Sequence, residues 1–223
     1  MVAEEALLGS PTPLGFEVSG FQTPSWLNYG SQVIYASNKE GQSALCLTDV
    51  GGAGSFKPIA QVSNRVAFLL SPDGGQLAVA EVDESAAPLY DRLNIVDVTT
   101  LLKETLLEES FLAFFWSPNG ESIAYVAVDP DTHAVSWKVV SARGGATRML
   151  VEFEPSQELF SMFLFFDQYS HSHSVWSPDS SQLVFTGNVN SHTGHRNGGS
   201  PDEDKVFVMR VEGDSLPREI ATG

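Results

Sequence analysis

A tight turn flanked by two apolar β segments occurs four times in this chain, and this repetition constrains the fold more than any other feature. Its clearest copy is FFWSPNGESIAYVAV at residues 114–128. Serine, proline and glycine stand at the first, second and fourth positions of a type I turn, where these residue types are favoured. The apolar run before the turn and the segment rich in β-formers after it predict a β-hairpin.

The other three copies keep this pattern to different degrees. They are FLLSPDGGQLAVAEV at 68–82, SVWSPDSSQLVFTGN at 174–188 and a degenerate copy, PSWLNYGSQVIYASN, at 24–38. Each hairpin is followed by two further β-type runs, so that a repeat has four predicted strands, as a propeller blade does. The positions that mark the register are the anchors Trp26, Leu70, Trp116 and Trp176 and the turn prolines Pro72, Pro118 and Pro178.

The Trp-Ser-Pro-Asp-Gly type of turn in the first hairpin resembles the WD40-like propeller repeat of TolB-type proteins. The resemblance covers most of the chain and implies an all-β fold, a β-propeller of four WD40-like, four-stranded blades. The expected blades are approximately residues 21–64, 65–110, 111–169 and 170–223, after an N-terminal segment, 1–20. Because an open arc would leave two apolar blade faces in water, we expect the blades to close as four or to form part of a larger ring.

Composition excludes some partners. The chain has 12 basic and 28 acidic residues, a net charge of −16, which argues against nucleic acid or an anionic lipid surface. No apolar stretch approaches 18 residues, so no membrane insertion is predicted. The single cysteine, Cys46, excludes an internal disulfide. The resemblance to TolB implies a periplasmic or extracellular location, but the first residues do not read as a signal peptide, so the compartment stays open.

Two segments depart from the repeat, and propeller loops are free to vary for function. Residues 154–169, EPSQELFSMFLFFDQY, lengthen the connection between the third and fourth blades. Their run LFSMFLFF must be covered, either by the propeller rim or by a partner. Residues 187–204 lengthen the first hairpin of the fourth blade. There His192 and His195 either contact a ligand or belong to an idle polar loop.

The segment DQYSHSH, residues 167–173, carries the densest group of candidate ligand-binding residues: Gln168, His171 and His173. The anchor register places this segment on and just before the inner strand of the fourth blade, facing a central channel. Residues two apart on a strand share a face, so the two imidazoles are expected to converge. The trio resembles part of the metal site of oligogalacturonide lyases, but the preceding inner strand, FLAFFW, offers no further histidine, so no metal is assigned and a divalent ion remains an alternative.

Signatures of catalysis are otherwise missing from the sequence. There is no Gly-x-Ser-x-Gly elbow, phosphate loop, dinucleotide fingerprint or Cys-x-x-Cys pair, and no cofactor is indicated. The resemblance to the TolB propeller implies a non-catalytic binding or scaffold module with a protein partner. Two alternatives stay open: the propeller part of a larger peptidase-type enzyme, and a metal-dependent site like that of a polysaccharide lyase in the channel.

Overall fold

The computed structural model describes residues 23–27, 30–39, 42–51, 56–62, 66–82, 89–170, 172–189 and 204–222. The predicted N-terminal segment, 1–20, lies outside these residues, as do His171, His192 and His195. Within them the chain forms fourteen strands and two short helices, so the predicted all-β class is confirmed.

The strands follow the predicted order of β runs. They are β1 (Ser25–Leu27), β2 (Gln32–Lys39), β3 (Gln42–Asp49), β4 (Phe56–Gln61), β5 (Val66–Leu70), β6 (Gln76–Glu81), β7 (Tyr90–Asp97), β8 (Lys103–Trp116), β9 (Ser122–Val128), β10 (Val135–Ser141), β11 (Arg148–Pro155), β12 (Gln182–Val189), β13 (Lys205–Arg210) and β14 (Arg218–Thr222). The helices are α1 (Gln157–Leu164) and α2 (Phe166–Tyr169). Every described strand pair is antiparallel, and every strand pairs with the next one along the chain, apart from β4 with β5.

Strand pairing makes two sheets rather than four separate blades. Strands β1 to β4 form the first sheet, which is blade 1, and β5 to β14 form one continuous sheet of ten strands. Blades 2 and 3 are continuous because β8 is long enough to serve as the outer strand of one and the inner strand of the other, and blades 3 and 4 are joined by the pairing of β11 with β12. The predicted boundary at 110/111 therefore falls inside a strand. Among the described residues, strand pairing does not close the array into a ring.

The repeated turns share one set of hydrogen bonds. In the turn of blade 2, Ser71 Oγ donates to Asp73 Oδ1 (2.6 Å) and accepts from Gln76 N–H (2.9 Å), while Gly74 N–H donates to Ser71 O (2.9 Å). The same bonds recur in the turns that begin at Ser117 and Ser177. The fourth turn position has positive φ, +74° at Gly74, which explains the preference for glycine there.

The tryptophan anchors connect consecutive blades. Trp116 Nε1 donates to Leu69 O in the inner strand of blade 2, and Trp176 Nε1 donates to Phe115 O in the inner strand of blade 3, each at 3.1 Å. Each indole therefore binds the backbone of the preceding blade. Trp26, the anchor of blade 1, is 63% exposed.

Both faces of blade 2 are buried, because this blade lies between two others. In β6, Leu77 and Val79 face an apolar cluster shared with blade 1. Ala78 and Ala80, which alternate with them, belong to a larger cluster that extends through blades 3 and 4. Blade-to-blade packing of apolar side chains is thus the main source of stability.

The turn aspartates make the stability of the propeller sensitive to acid. The hydrogen bond from Ser71 lowers the pKa of Asp73, and that from Ser177 lowers the pKa of Asp179. An unfolded aspartate titrates at about 3.9. Stability from these carboxylates is therefore present above that pH and is lost as the pH falls through their lower folded-state pKa.

We expect the double variant Asp73→Asn, Asp179→Asn to keep its turns, because Asn119 already fills the equivalent place in blade 3 and accepts the same serine bond at 2.7 Å. The expected result is a shallower fall of Tm with decreasing pH below about pH 4 than in the wild-type chain. Thermal unfolding followed by circular dichroism at a series of pH values measures this slope. Equal slopes in the two proteins would contradict the conclusion that Asp73 and Asp179 make the stability sensitive to acid.

Candidate functional site

The connection between blades 3 and 4 is a helical insert, residues 156–170. Ser156 caps α1 by accepting a hydrogen bond from Leu159 N–H (3.2 Å), and Glu158 lies in the first turn, where a negative charge is favoured. Leu159, Phe163 and Phe166 are buried and follow one another at intervals of four and three residues. This spacing is the apolar stripe of a helix that rests on a core.

The buried stripe packs against inner strands. Phe166 meets Phe114 of β8 edge to face, with ring centroids 4.9 Å apart, and Phe163 meets Trp137 of β10 at 5.5 Å. Helix α1 contacts β8 and β12, and α2 contacts β5. The insert therefore lies against strands of blades 2 and 3 and the start of blade 4, and these strands cover the buried half of its apolar run.

The structure replaces the predicted inner strand of blade 4 with this insert. Residues 166–169 are helical, residues 172–175 are not part of a strand, and only the bridge between Trp176 and Leu183 remains. The cause is β11, whose last residues pair with β12 at Phe153–Val189, Glu154–Asn188 and Pro155–Gly187. Continuing the register of the bridge, residues 170–172 would need these same partners. Gln168 therefore lies on α2 and His173 lies outside any strand, where the repeat register predicted a channel strand, and His171 lies outside the described residues.

The insert exposes an apolar surface on its other side. Phe160 and Leu164, four residues apart on α1, are exposed, as are Phe165 and Tyr169. We call these four residues the aromatic patch. Because Phe165 N–H donates to Met162 O and Tyr169 N–H to Phe165 O, the backbone holds the members of the patch in fixed relative positions.

Polar groups lie at the edge of the aromatic patch. Gln168 is exposed on α2, and the His173 ring meets Tyr169 edge to face at 5.5 Å. His173 Nδ1 is 2.8 Å from Ser172 Oγ. Burial raises the pKa of Asp167, the residue before Gln168 on α2. Gln168 and His173 are thus both exposed and His173 contacts Tyr169, while the positions of His171, His192 and His195 lie outside the described residues.

Other titratable groups have structural partners. Glu81 is buried, forms an ion pair with Lys103 and accepts from Asn94 Nδ2 (2.9 Å). On blade 3, Glu109 binds Lys138 and accepts the hydroxyl of Tyr125. In both clusters, an ion pair and a hydrogen bond compensate for charge that is buried or half-buried. Burial also raises the pKa of the Cys46 thiol, as expected for an unreactive cysteine.

Metal binding finds little support in the described part of the chain. No three His, Cys, Asp or Glu side chains within it are placed to hold a metal ion. None of the helices described is long and apolar enough to cross a membrane; α1, the longer, has 8 residues.

Solved structures provide the comparison that decides the fold. TolB from Agrobacterium tumefaciens matches with a TM-score of 0.52 and 14% identity over 92% of this chain. The β-propeller domain of the Trilobed protease from Pyrococcus furiosus matches with a TM-score of 0.53 and 14% identity over 92%. The chain has a β-propeller fold.

A third propeller match is to an enzyme. Oligogalacturonate lyase from Vibrio parahaemolyticus has a TM-score of 0.59 and 14% identity over 91% of this chain. The chain spans 68% of the TolB structure, 57% of the protease domain and 54% of the lyase. Neither a family model nor a curated protein matches the sequence. At this identity the propeller matches show the fold, and they include both a TolB and an enzyme.

Proposed function

We propose that this propeller is a non-catalytic binding or scaffold module that contacts a protein partner through the aromatic patch. The observation that carries the proposal is the exposure of Phe160, Leu164, Phe165 and Tyr169 on an insert whose opposite face is fixed in the core. Several exposed large apolar side chains on one short segment are typical of interaction sites. Aromatic side chains are enriched in protein interfaces and frequently supply most of the binding energy.

The surroundings of the patch favour a partner with apolar and basic side chains. Gln168 and His173 provide hydrogen-bonding groups at its edge, as in the polar rim of an interface. Glu158 is exposed in the first turn of α1, and the whole chain carries a net charge of −16. Such a field accelerates the approach of a cationic partner and disfavours an acidic one.

We also retain the predicted ligand contacts as part of this proposal. Gln168 and His173, which are both exposed, are proposed to contact a bound partner or small ligand, and His171, His192 and His195 are proposed to contribute to the same contact. Similarity to an oligogalacturonate lyase and to a protease propeller domain keeps an enzymatic role in a larger protein as the alternative. A divalent metal would be part of the lyase-like alternative only.

The patch proposal predicts that the double variant Phe165→Ser, Tyr169→Ser loses partner binding while its fold stays intact, because both side chains are exposed. Loss of two interface anchors is expected to weaken binding by at least about tenfold. Immobilised wild-type and variant proteins are compared for the proteins that they capture from an extract of the native source. A photoreactive amino acid in place of Phe165 then identifies the protein in direct contact.

A matched control is Leu216→Ser, because Leu216 is exposed in the loop before β14, outside the insert. This variant is expected to capture and cross-link like the wild-type protein. Equal capture by the patch variant and the control, or a partner that cross-links from position 216 but not from position 165, would contradict the proposal.

The two ends of the blade array, blades 1 and 4, each have an apolar face that has no neighbouring blade among the described residues. We propose that the apolar faces of blades 1 and 4 are covered in the working protein, either because the four blades close directly or because they belong to a larger ring. The support is the physical cost of leaving such faces in water and the partial span of the chain on the matched structures.

A further inference from the structure

The face of blade 4 directed away from blade 3 has the side chains of an inter-blade surface, and no further blade packs against it among the strands described. In β12 and β13, Val184, Val206 and Val208 lie on the face directed away from blade 3. Their equivalents in blade 2, by the register of the anchors, are Ala78, Leu93 and Ile95. All three are buried in the cluster shared with blade 3. Val184, in contrast, is 38% exposed.

The backbone of blade 4 also continues the series of acceptors for the tryptophan anchors. Leu69 O and Phe115 O, each one residue before the anchor of its own blade, accept the indole of the next blade at 3.1 Å. Val175 O is the next member of this series. Val175 O accepts from Val184 N–H (2.9 Å), and a carbonyl oxygen has a second lone pair that can accept an indole N–H.

The matching donor is at the other end of the array. Trp26 occupies the anchor position of blade 1, and its side chain is 63% exposed where Trp176 is 4% exposed. Tyr35 and Cys46 lie on the same face of blade 1 as Trp26, but they are buried within the chain. The part of this face that a partner can reach is therefore the inner edge around Trp26. The chain therefore carries both halves of one blade-to-blade contact, and neither half covers the other.

We propose that a second copy of this chain supplies the missing half, with Trp26 of one copy docked on Val184, Val206 and Val208 of the other. Its indole N–H donates to Val175 O there, as Trp176 does to Phe115 O within one chain. A two-fold axis makes two such head-to-tail contacts and closes a ring of about eight blades, within the range known for propellers. This inference concerns the ends of the array and is independent of the aromatic patch.

The first test is the oligomeric state of the full chain by light scattering and sedimentation over a range of concentrations. We expect a dimer of twice 24.1 kDa for the wild-type protein. Trp26→Ala and Val184→Lys are each expected to raise the dimer dissociation constant by about 30-fold, the effect of losing an interface hot spot. Leu102→Ala, at a site as exposed as Trp26, is the control and is expected to leave the constant unchanged.

Mixing the two variants distinguishes a contact between two different faces, blade 1 of one copy with blade 4 of the other, from a contact between the same face of both copies. A mixed dimer of the Trp26→Ala and Val184→Lys proteins keeps one intact contact, whereas each variant alone keeps none. We therefore expect the mixture to dimerise more tightly than either variant. A wild-type chain that is monomeric at every concentration, a Trp26→Ala protein that dimerises like the wild type, or a mixture no tighter than its components would overturn the proposal. Unchanged circular dichroism shows that the variants are folded.

Discussion

Replacement of Gly187 by alanine is expected to destabilise the propeller by more than about 3 kcal/mol, at the upper end of what overpacking and backbone strain cost together. A β-carbon at this position would lie 2.0 Å from Glu154 O and 2.9 Å from Pro155 Cα. Both are backbone atoms, so no side chain can rotate away to make room. Gly187 also has φ = +138°, a conformation that residues with a β-carbon rarely adopt.

The damage is expected to fall on the junction of blades 3 and 4. Gly187 is paired with Pro155 where β11 crosses onto β12, and beside it Ser156 N–H donates to Thr186 O (3.2 Å). Moving β11 away from β12 would break this bond and shift the capping residue of α1. The variant should therefore lose protection from hydrogen exchange in the helical insert as well as global stability.

The control for this prediction is Gly213→Ala. Gly213 has φ = +75°, but a β-carbon there would meet nothing within 4 Å. Its cost is expected to be about 1 kcal/mol, the strain of a left-handed backbone alone. Chemical denaturation of both variants measures the difference. If Gly187→Ala costs no more than Gly213→Ala, the close approach of β11 to β12 at this point is refuted.

Sequence patterns predicted most strands, apart from the inner strand of blade 4, because the first hairpin of each repeat has a local signal. The Ser-Pro-x-Gly turn fixes where one strand ends and the next begins, and its hydrogen bonds are all made within six residues, as between Ser71 and Gln76. Residues 103–110 form the first part of β8, where the repeat requires an outer strand. Local turn chemistry and repeat register thus predicted the same structure.

The arrangement around the candidate site depends on contacts that no local pattern records. Strand β11 takes up the pairing positions of the expected inner strand, and this exchange joins residues more than thirty positions apart, such as Phe153 and Val189. Without the pairing of β11 with β12, the register of the repeat would place His171 and His173 on a strand. A bond such as that from Trp176 Nε1 to Phe115 O is likewise invisible in sequence, although the anchor itself is easily seen.

The sequence of the insert does contain a local signal for a helix. Ser156 followed by Glu158 is a helix start, and Leu159, Phe163 and Phe166 have helical spacing. The signal was obscured because Phe160, Leu164 and Phe165 make the opposite face apolar too, so that the run looks uniformly hydrophobic rather than amphipathic. That second apolar face is the aromatic patch, and the feature that concealed the helix is the one that supports the proposed binding role.

Trp137 helps to attach the insert to the core, and Trp137→Ala is expected to cost about 3–5 kcal/mol, the usual range for truncating a buried large aromatic residue. Trp137 is fully buried on β10. Its ring stacks on Phe153 (6.0 Å, 9° between planes) and meets Phe163 of α1 edge to face at 5.5 Å. Removing it opens a cavity shared by blade 3, blade 4 and the helical insert.

Trp137→Phe separates the loss of volume from the loss of polar contacts. The indole Nε1 of Trp137 is buried without a hydrogen-bond partner in the described part of the chain, so phenylalanine removes no bond and leaves a smaller cavity. We expect it to cost about 1 kcal/mol, within the range for swaps that nearly conserve volume. Trp176→Phe should cost more, because it also deletes the hydrogen bond to Phe115 O. Denaturant unfolding of the three variants ranks them, and a Trp137→Phe loss as large as that of Trp137→Ala would show that packing against Phe163 and Phe153 is not what makes Trp137 important.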